Sequence, residues 1–114
     1  MTFAKHPVTI TEIKEVVVGK TPTKQSTVLI DNKRMVVGRY PAYQTLQINK
    51  QYGLNAQALY FILSKKQDPI IPQNSRVVTN INGLEIKGKA LFTEPFEESE
   101  IGFTFETTFM SDNQ

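Results

Sequence analysis

The hydrophobic and polar residues of this chain alternate with a period of two in several segments, which is typical of β-strands with one buried face. Near the N-terminus, Val8 and Ile10 alternate with threonines, and the valine-rich residues 12–18 continue this segment. At the other end a strand is predicted from Gly102, and its core-facing side would hold Phe103, Phe105, Thr107 and Phe109. The pattern therefore predicts a strand near each end of the chain.

Shorter apolar segments between these ends predict further strands. Residues 28–30 and 35–37 are two extended segments around a turn at residues 31–33, and they follow a polar connection at residues 20–26. Residues 58–63 (ALYFIL) are the most apolar hexamer. Their apolar positions would also line one face of a helix, but their aromatic and β-branched content favours a strand.

A hairpin and a charged segment follow. An Asn-Gly dipeptide, the strongest turn signal in the chain, lies between the alternating residues 76–79 and 84–87 and predicts a β-hairpin. Residues 89–93 predict an edge-like strand, and residues 94–100 predict a charged loop before the final strand.

Residues 40–57 separate two strand-like segments and contain little apolar sequence, because Gln, Asn and Tyr predominate. A compact domain seldom contains so long a connection unless it is a functional loop or a disordered segment. We therefore predict one long projecting loop at about residues 40–57 and place the candidate functional site there.

These segments together predict six to eight strands and no helix. The expected fold is all-β, a small antiparallel β-barrel or sandwich with one projecting loop, in a single domain of residues 1–114 that ends in a polar tail at residues 111–114. The N-terminus lacks the apolar stretch of a signal peptide, and no apolar run approaches the length of a membrane span. Synthesis in the cytoplasm and no membrane partner are therefore expected.

Charge is distributed unevenly along the chain. All 13 Lys and Arg lie in residues 5–89, so residues 1–93, with five acids, have a net charge of +8, and the last 21 residues, with six acids, have −6. This asymmetry indicates a surface that meets a second copy head to tail, or a basic face near nucleic acid. Ordinary solvated charge that clusters by chance explains it equally well.

Few residues of the chain are candidates for catalysis or for binding a metal or phosphate. The chain has no cysteine, which excludes disulfides and thiolate catalysis, and its single histidine, His6, has no evident nucleophile as a partner. Residues 83–89 resemble a phosphate-binding P-loop, but Ala90 stands where Ser or Thr must bind magnesium, and the context predicts a hairpin. We therefore predict no cofactor, no metal site and no catalytic residue, and expect that the protein is not an enzyme.

Aromatic and basic residues are mixed in the middle of the chain, as in barrels that bind single-stranded nucleic acid by base stacking and phosphate contacts. The residues concerned are Arg34, Arg39, Tyr40, Tyr43, Lys50, Tyr52, Tyr60 and Phe61. Placement of Tyr60 and Phe61 in the core, with the others on the surface, explains the same composition. An oligonucleotide-binding barrel is therefore an alternative function.

The order of features along the chain also matches a known layout. The features are an opening strand PVTITEI, a valine-rich segment ending in VVGR at residues 36–39, the polar segment 40–57, the strand 58–63, IIPQNSRV at residues 70–77, the Asn-Gly hairpin, and IKG at residues 86–88. In this order the chain resembles the head-closure proteins of long-tailed bacteriophages, also called head-completion or stopper proteins. That family has an acid before the basic residue and valine that precede the hairpin, whereas here Ser75 precedes Arg76 and Val77. The resemblance covers about residues 7–110 and is one of layout rather than of a signature motif.

The resemblance implies a structural virion protein of the phage neck, made in the host cytoplasm. Such a protein forms a ring below the portal and adaptor rings, closes the DNA channel with a long loop and provides the surface for tail attachment. By position, the channel-facing or gating residues would be Tyr40, Tyr43, Gln44, Thr45, Gln47, Asn49, Lys50, Gln51 and Tyr52. A possible acidic patch between subunits would consist of Glu94, Glu97, Glu98 and Glu100.

The implied partners are the portal-side adaptor, tail-side proteins, packaged double-stranded DNA in the channel, and further copies of the chain in a ring, even if the purified subunit is a monomer. Uncharged Gln and Asn suit a movable plug, because a strongly basic loop would hold DNA through its phosphates. A different connector-ring protein, such as a tail terminator, is an alternative within the same class.

Overall fold

The computed structural model describes residues 5–65, 67–99 and 102–112. The elements found there are β1 (Lys5–Val18), β2 (Thr21–Arg39), α1 (Ala42–Tyr52), β3 (Leu59–Lys65), β4 (Arg76–Ile81), β5 (Leu84–Ser99) and β6 (Gly102–Ser111). The strands close into an antiparallel barrel in the order β1-β2-β3-β6-β5-β4, and pairing of β4 with β1 completes it. The predicted fold class, all-β and built as a small antiparallel barrel, is confirmed.

The interior of the barrel is filled by the inward-facing side chains of alternating strand positions. Val8 and Ile10 of β1, Ile62 of β3, Val77 of β4 and Phe109 of β6 have no exposed surface. Burial of apolar surface contributes roughly 25 cal/mol per Å² to stability, so this cluster is the main source of the stability of the barrel.

The final strand has the predicted period. Phe109 and Thr107 are buried and Phe105 is half-buried, whereas the side chain of Phe103 lies outside what the structure describes. Thr108, on the opposite face of β6, is also fully buried. Both faces of this strand are therefore covered near its C-terminal end, which indicates a second packed layer outside the barrel.

That second layer is formed around Tyr40, Ala56 and Leu59, which are buried together. Phe61 and Met110 pack against them from the outer face of β3 and β6. The barrel thus has an interior cluster and a smaller outer cluster, and the chain between β2 and β3 covers the latter.

The hairpin formed by β1 and β2 extends well beyond the barrel. β1 pairs with β4 only over residues 8–11, and β2 pairs with β3 only over residues 36–39. Residues 12–27 therefore pair only with one another, and we call them the projecting hairpin. At about 3.3 Å per residue they reach roughly 20 Å from the barrel, consistent with the long axis of 52 Å against 33 and 29 Å.

Two predicted connections are wrong, because both lie within β2. The sequence predicts a polar connection at residues 20–26, but from Thr21 onward these residues pair with β1, and residues 31–33 form an irregularity in β2 rather than a turn. The register shifts there, and Asn32 takes a left-handed conformation (φ +49°) while its backbone N–H bonds to Thr9 Oγ1 at 3.1 Å. A bulge absorbs the turn-like sequence without reversing the chain.

The hairpin of β4 and β5 is confirmed, with Asn82 (φ +53°) and Gly83 (φ +89°) in its turn. Both central residues of a type I′ turn need positive φ, which explains the Asn-Gly dipeptide. The predicted charged loop at residues 94–100 is wrong as far as Ser99, because β5 continues to that residue and pairs with β6. Glu100 lies outside the described residues.

Candidate functional site

Residues 40–57 do not form the predicted long loop, because α1 occupies residues 42–52. Pro41, extended at φ −61° and ψ 159°, precedes the helix, and Gly53 ends it in the left-handed conformation at φ +66°, with its N–H bonded to the carbonyl oxygen of Asn49. A glycine just past the last turn and Lys50 within that turn are ordinary signals of a helix end. The prediction is wrong because it gives the weak apolar pattern more weight than these signals.

Hydrogen bonds close the base of this segment and fold its second half back onto the helix. The Tyr40 N–H donates to the carbonyl oxygen of Leu59 at 2.9 Å. Asn49 Nδ2 donates to the carbonyl oxygen of Ala56 at 2.9 Å, and Asn49 Oδ1 accepts from the Ala56 N–H at 3.1 Å. These bonds fold the chain after α1 back onto the helix, so Asn49 has a structural role in this segment.

The predicted loop residues are separated by the helix into covered and outward positions. Tyr40 and Thr45 are buried, and Gln44 and Asn49 are half-buried. The exposed ones are Tyr43, Gln47, Lys50, Gln51 and Tyr52. Tyr43, Leu46, Gln47 and Lys50 follow helical spacing and form one outward stripe, in which 66% of Tyr43 and 61% of Leu46 are exposed.

A cleft opens between the helix and the outer face of the neighbouring sheet. It has a volume of about 160 Å³ and is lined by Tyr40, Gln44, Ile48, Gln51 and Tyr52 from the segment after β2 and by Phe92, Glu94 and Glu106 from β5 and β6. We call it the helix–sheet cleft. It brings four of the predicted loop residues together with Glu94 of the predicted acidic patch.

Tyr40 forms the inner end of this cleft. Its hydroxyl donates to Glu106 Oε1 at 2.5 Å and lies 2.8 Å from Thr108 Oγ1. Burial and the hydrogen bond to Glu106 raise the pKa of the Tyr40 hydroxyl well above its usual value, since both disfavour the phenolate. Tyr40 therefore remains a neutral donor that orients the Glu106 carboxylate.

Tyr52 forms the outer end. Its ring stacks on Phe92 with 4.4 Å between the centroids, and its hydroxyl donates to Glu94 Oε1 at 3.1 Å. Desolvation and the hydrogen bond to Glu94 raise the pKa of the Tyr52 hydroxyl. The last turn of the helix is thus joined to β5 by one aromatic contact and one hydrogen bond.

The two carboxylates of the cleft are direct cross-strand neighbours, because Glu94 of β5 pairs with Glu106 of β6. Like charges directly opposite one another on a sheet are unfavourable. Among the described residues the ion pairs are Glu12–Lys14, Lys33–Asp68, Arg76–Asp112 and Glu85–Lys87, and none involves either carboxylate of the cleft. This arrangement can accept hydrogen bonds from a cationic group.

The structure describes the other residues of the predicted acidic patch only in part. The backbones of Glu97 and Glu98 lie in β5 opposite Thr104 and Phe103, while their side chains are outside what the structure describes. Glu100 is outside the described residues altogether. Glu94 is exposed and lies at the cleft.

A second cavity, of about 200 Å³, lies where β2 separates from β3, and the prediction from sequence missed it. Its basic lining residues are Lys5, Lys33, Arg34 and Lys65, and Met35, Val36 and Leu63 form its apolar lining. Lys33 is paired with Asp68 there. Burial opposes ionisation of Asp68, but hydrogen bonds from Lys33 and from the Lys65 backbone N–H hold its carboxyl pKa below the usual value. Residues from four separate segments meet here, so no local pattern could indicate the cavity.

In comparisons with known proteins, no family model, no curated protein and no solved structure matches this chain. Within the described parts of the chain, no three acidic or histidine side chains lie close enough together to hold a metal ion. In the same residues no helix has both the length and the hydropathy needed to cross a membrane.

Proposed function

We propose that the protein is a structural subunit of a larger assembly, and that its projecting hairpin is the element that contacts neighbouring subunits. The observation that carries this proposal is the exposure of apolar side chains along a hairpin that no third strand covers. Val17 is 67% exposed and Val18 is 62% exposed, and Ile13 and Val28 are exposed as well.

The register places the most apolar positions on one face of the hairpin. Val17 is opposite Pro22, Ile13 is opposite Ser26, and Val28 is opposite Thr11. Side chains at alternate positions of a strand share a face, so Ile13, Val17 and Val28 lie along one side, with Glu15 and Lys24 between Ile13 and Val17. Exposed apolar side chains grouped on one face with charged residues among them are typical of a surface that another protein covers.

Both edges of the projecting hairpin are also open. Among the residues that the structure describes, β1 has no second strand partner beyond Thr11, and β2 has none before Val36. A free strand edge presents unpaired N–H and C=O groups to which a neighbouring chain can add a strand. Lys14, Lys20 and Lys24 place charges along the hairpin, which is a common way to prevent unselective edge pairing.

The resemblance to phage head-closure proteins gives this assembly role a specific form. We propose a component of the phage neck that forms a ring below the portal and adaptor, closes the DNA channel and provides the tail attachment surface. The small antiparallel barrel and the projecting element support this form. A movable loop at residues 40–57 does not, because α1 occupies most of this segment and its last turn contacts β5 through Tyr52. The outward stripe of α1, formed by Tyr43, Leu46, Gln47 and Lys50, is the remaining candidate for a surface that faces the channel.

The test measures self-association of the purified chain by sedimentation from micromolar to millimolar concentration, with and without a crowding agent. We expect reversible association that Val17→Asp weakens. Leu84→Asp is the matched control, because Leu84 is similarly exposed (65%) but lies at the tip of the other hairpin. Association that Val17→Asp leaves unchanged would contradict the role of the hairpin.

The same samples separate the assembly role from nucleic-acid binding. A single-stranded nucleic-acid-binding barrel should bind labelled oligonucleotides with an affinity that falls steeply as salt is raised. We expect weak binding that does not compete with association. Tight, salt-dependent binding by the unassembled chain would favour the oligonucleotide-binding function instead.

A further inference from the structure

Two of the three lysines of the projecting hairpin have an acidic neighbour on the hairpin, whereas Lys20 at the tip has no acid at a paired position. Lys14 forms an ion pair with Glu12 at 2.9 Å, and Lys24 lies directly opposite Glu15. Lys20 is in the turn, next to Gly19, and it is exposed. Within the part of the chain that the structure describes, no ion pair includes Lys20. The tip therefore carries one free positive charge on a flexible side chain.

The helix–sheet cleft carries negative charge that no described cation neutralises. Glu94 and Glu106 face each other across β5 and β6, and no described cation pairs with them. Each carboxylate accepts one tyrosine hydroxyl, which leaves further lone pairs free for a second donor. The walls are also suited to an ammonium group, because the stacked rings of Tyr52 and Phe92 offer electron-rich surfaces and Gln44 and Gln51 offer amide oxygens.

The tip and the cleft lie at opposite ends of one strand. β2 begins at Thr21, beside the tip, and ends at Arg39, one residue before Tyr40. A continuous strand holds these two ends apart, so Lys20 cannot enter the cleft of its own chain. The same separation allows a tip to reach the cleft of a second copy. A contact between two different surfaces of identical chains is heterologous, and its repetition produces a ring or a filament.

We propose that the helix–sheet cleft binds the Lys20 tip of the projecting hairpin of a second copy of this chain. The ammonium group lies between Glu94 and Glu106, relieves their repulsion and contacts the Tyr52 and Phe92 rings. This inference rests on the proposed assembly function and adds the surface that receives the hairpin. It also gives the aromatic and amide residues of the cleft a binding role.

Paramagnetic relaxation between two differently labelled samples tests the contact even where it is weak. The chain has no cysteine, so Thr21→Cys provides one nitroxide site next to the tip. This spin-labelled chain is mixed with ¹⁵N-labelled wild-type chain at millimolar concentration. We expect intermolecular broadening of the amides of Gln51, Tyr52, Phe92 and Glu94. The amides of Lys5, Lys33, Arg34 and Lys65, which line the second cavity, should be unaffected.

Charge reversal identifies the groups responsible. Lys20→Glu on the spin-labelled chain should weaken the association about tenfold. Glu94→Lys on the ¹⁵N-labelled chain should restore part of it when combined with Lys20→Glu on the other chain. Lys5→Glu is the matched control, because it makes the same charge change at an exposed lysine of β1 that, like Lys20, takes part in no ion pair among the described residues, and it should change the affinity by less than about twofold.

Other outcomes would overturn the assignment, and they separate it from the proposed function. Broadening along residues 21–35 would mean that hairpins pair edge to edge and that the cleft is not the receptor. Weakening by Val17→Asp but not by Lys20→Glu would leave the assembly role intact and reject the cleft. Absence of any intermolecular broadening would reject a second copy as the occupant.

Discussion

The projecting hairpin and the segment of residues 40–57 hold their apolar side chains in opposite environments. Three of the four aliphatic residues of the hairpin, Ile13, Val17 and Val18, are exposed. Residues 40–57 are rich in Gln and Asn, yet Tyr40, Thr45 and Ala56 are buried. Most aliphatic side chains of the hairpin thus remain open to solvent, while a segment rich in Gln and Asn has buried residues that pack on the sheet, and local composition is a poor guide to what a segment contacts.

The difference arises because only one of the two segments packs against another surface of the same chain. The segment after β2 returns to β3 and meets the outer faces of β3, β5 and β6, so a few apolar side chains and the hydrogen bonds of Asn49 suffice to hold it. The hairpin extends away from the barrel and meets no second layer. Its apolar face therefore needs a partner from outside the chain, which is the basis of the assembly role proposed above.

The largest expected contrast between the two regions is in their susceptibility to trypsin. Cleavage after Lys20 and Lys24 should precede cleavage after Lys50 by at least about tenfold, because an isolated two-stranded hairpin opens locally more easily than a helix whose last turn packs on β5 through Tyr52. Peptide mapping over a time course by mass spectrometry measures this. Equal rates at Lys50 and Lys20 would mean that α1 opens as readily as the hairpin.

The next contrast is between two tyrosines of the same segment. Tyr40→Ala should lower the free energy of unfolding by about 3–5 kcal/mol, because it removes a buried ring that packs on Phe61 and leaves a cavity. Tyr43→Ala, at an exposed position of α1, should change it by less than about 0.5 kcal/mol. Urea denaturation measures both. Similar values for the two variants would show that the segment is not packed as described.

Two glycines with the same backbone angle, one in each region, test whether the hairpin and the helical segment contribute equally to global stability. Gly19 in the hairpin turn and Gly53 after α1 both have φ +66°, and a methyl group added at either position would meet no other atom within 4 Å. Gly53→Ala should destabilise the fold by about 1 kcal/mol through strain at the helix end. Gly19→Ala should loosen the hairpin tip, which amide exchange detects, with little change in the unfolding midpoint. A comparable loss of global stability from Gly19→Ala would mean that the hairpin folds cooperatively with the barrel.

The smallest expected effect is the contribution of Tyr40 ionisation to stability, which appears only at alkaline pH. The folded state raises the pKa of Tyr40, so the stability linked to this group is fully present below pH ~10, the unfolded value, and is lost as the pH rises above it. Tyr40→Phe should reduce the loss of stability above pH ~10 relative to wild type. Urea unfolding at a series of alkaline pH values measures it, and an unchanged slope would contradict the buried, hydrogen-bonded state of the Tyr40 hydroxyl.

Much of the fold could be predicted because strand signals are local. The alternation around Val8 and Ile10, the face of β6 that holds Phe109, and the Asn-Gly turn each required only neighbouring residues, and each agrees with the structure. The helix at residues 42–52 could have been predicted from Gly53 and Lys50 at its end, had those signals been weighed against the low apolar content. The cleft could not have been predicted, because Tyr40, Glu94 and Glu106 are joined only by the pairing of distant strands.

Local patterns in the sequence are enough to specify a small all-β protein without cysteine, since strand period, turn residues and composition are local properties. Which of the two segments is covered depends on the tertiary fold, because a segment is covered only where a second surface lies within reach. The barrel brings β3, β5 and β6 beneath α1 and leaves the hairpin of β1 and β2 without a neighbour. The same closure sets two like charges face to face in the cleft, an arrangement that arises only when β5 and β6 pair.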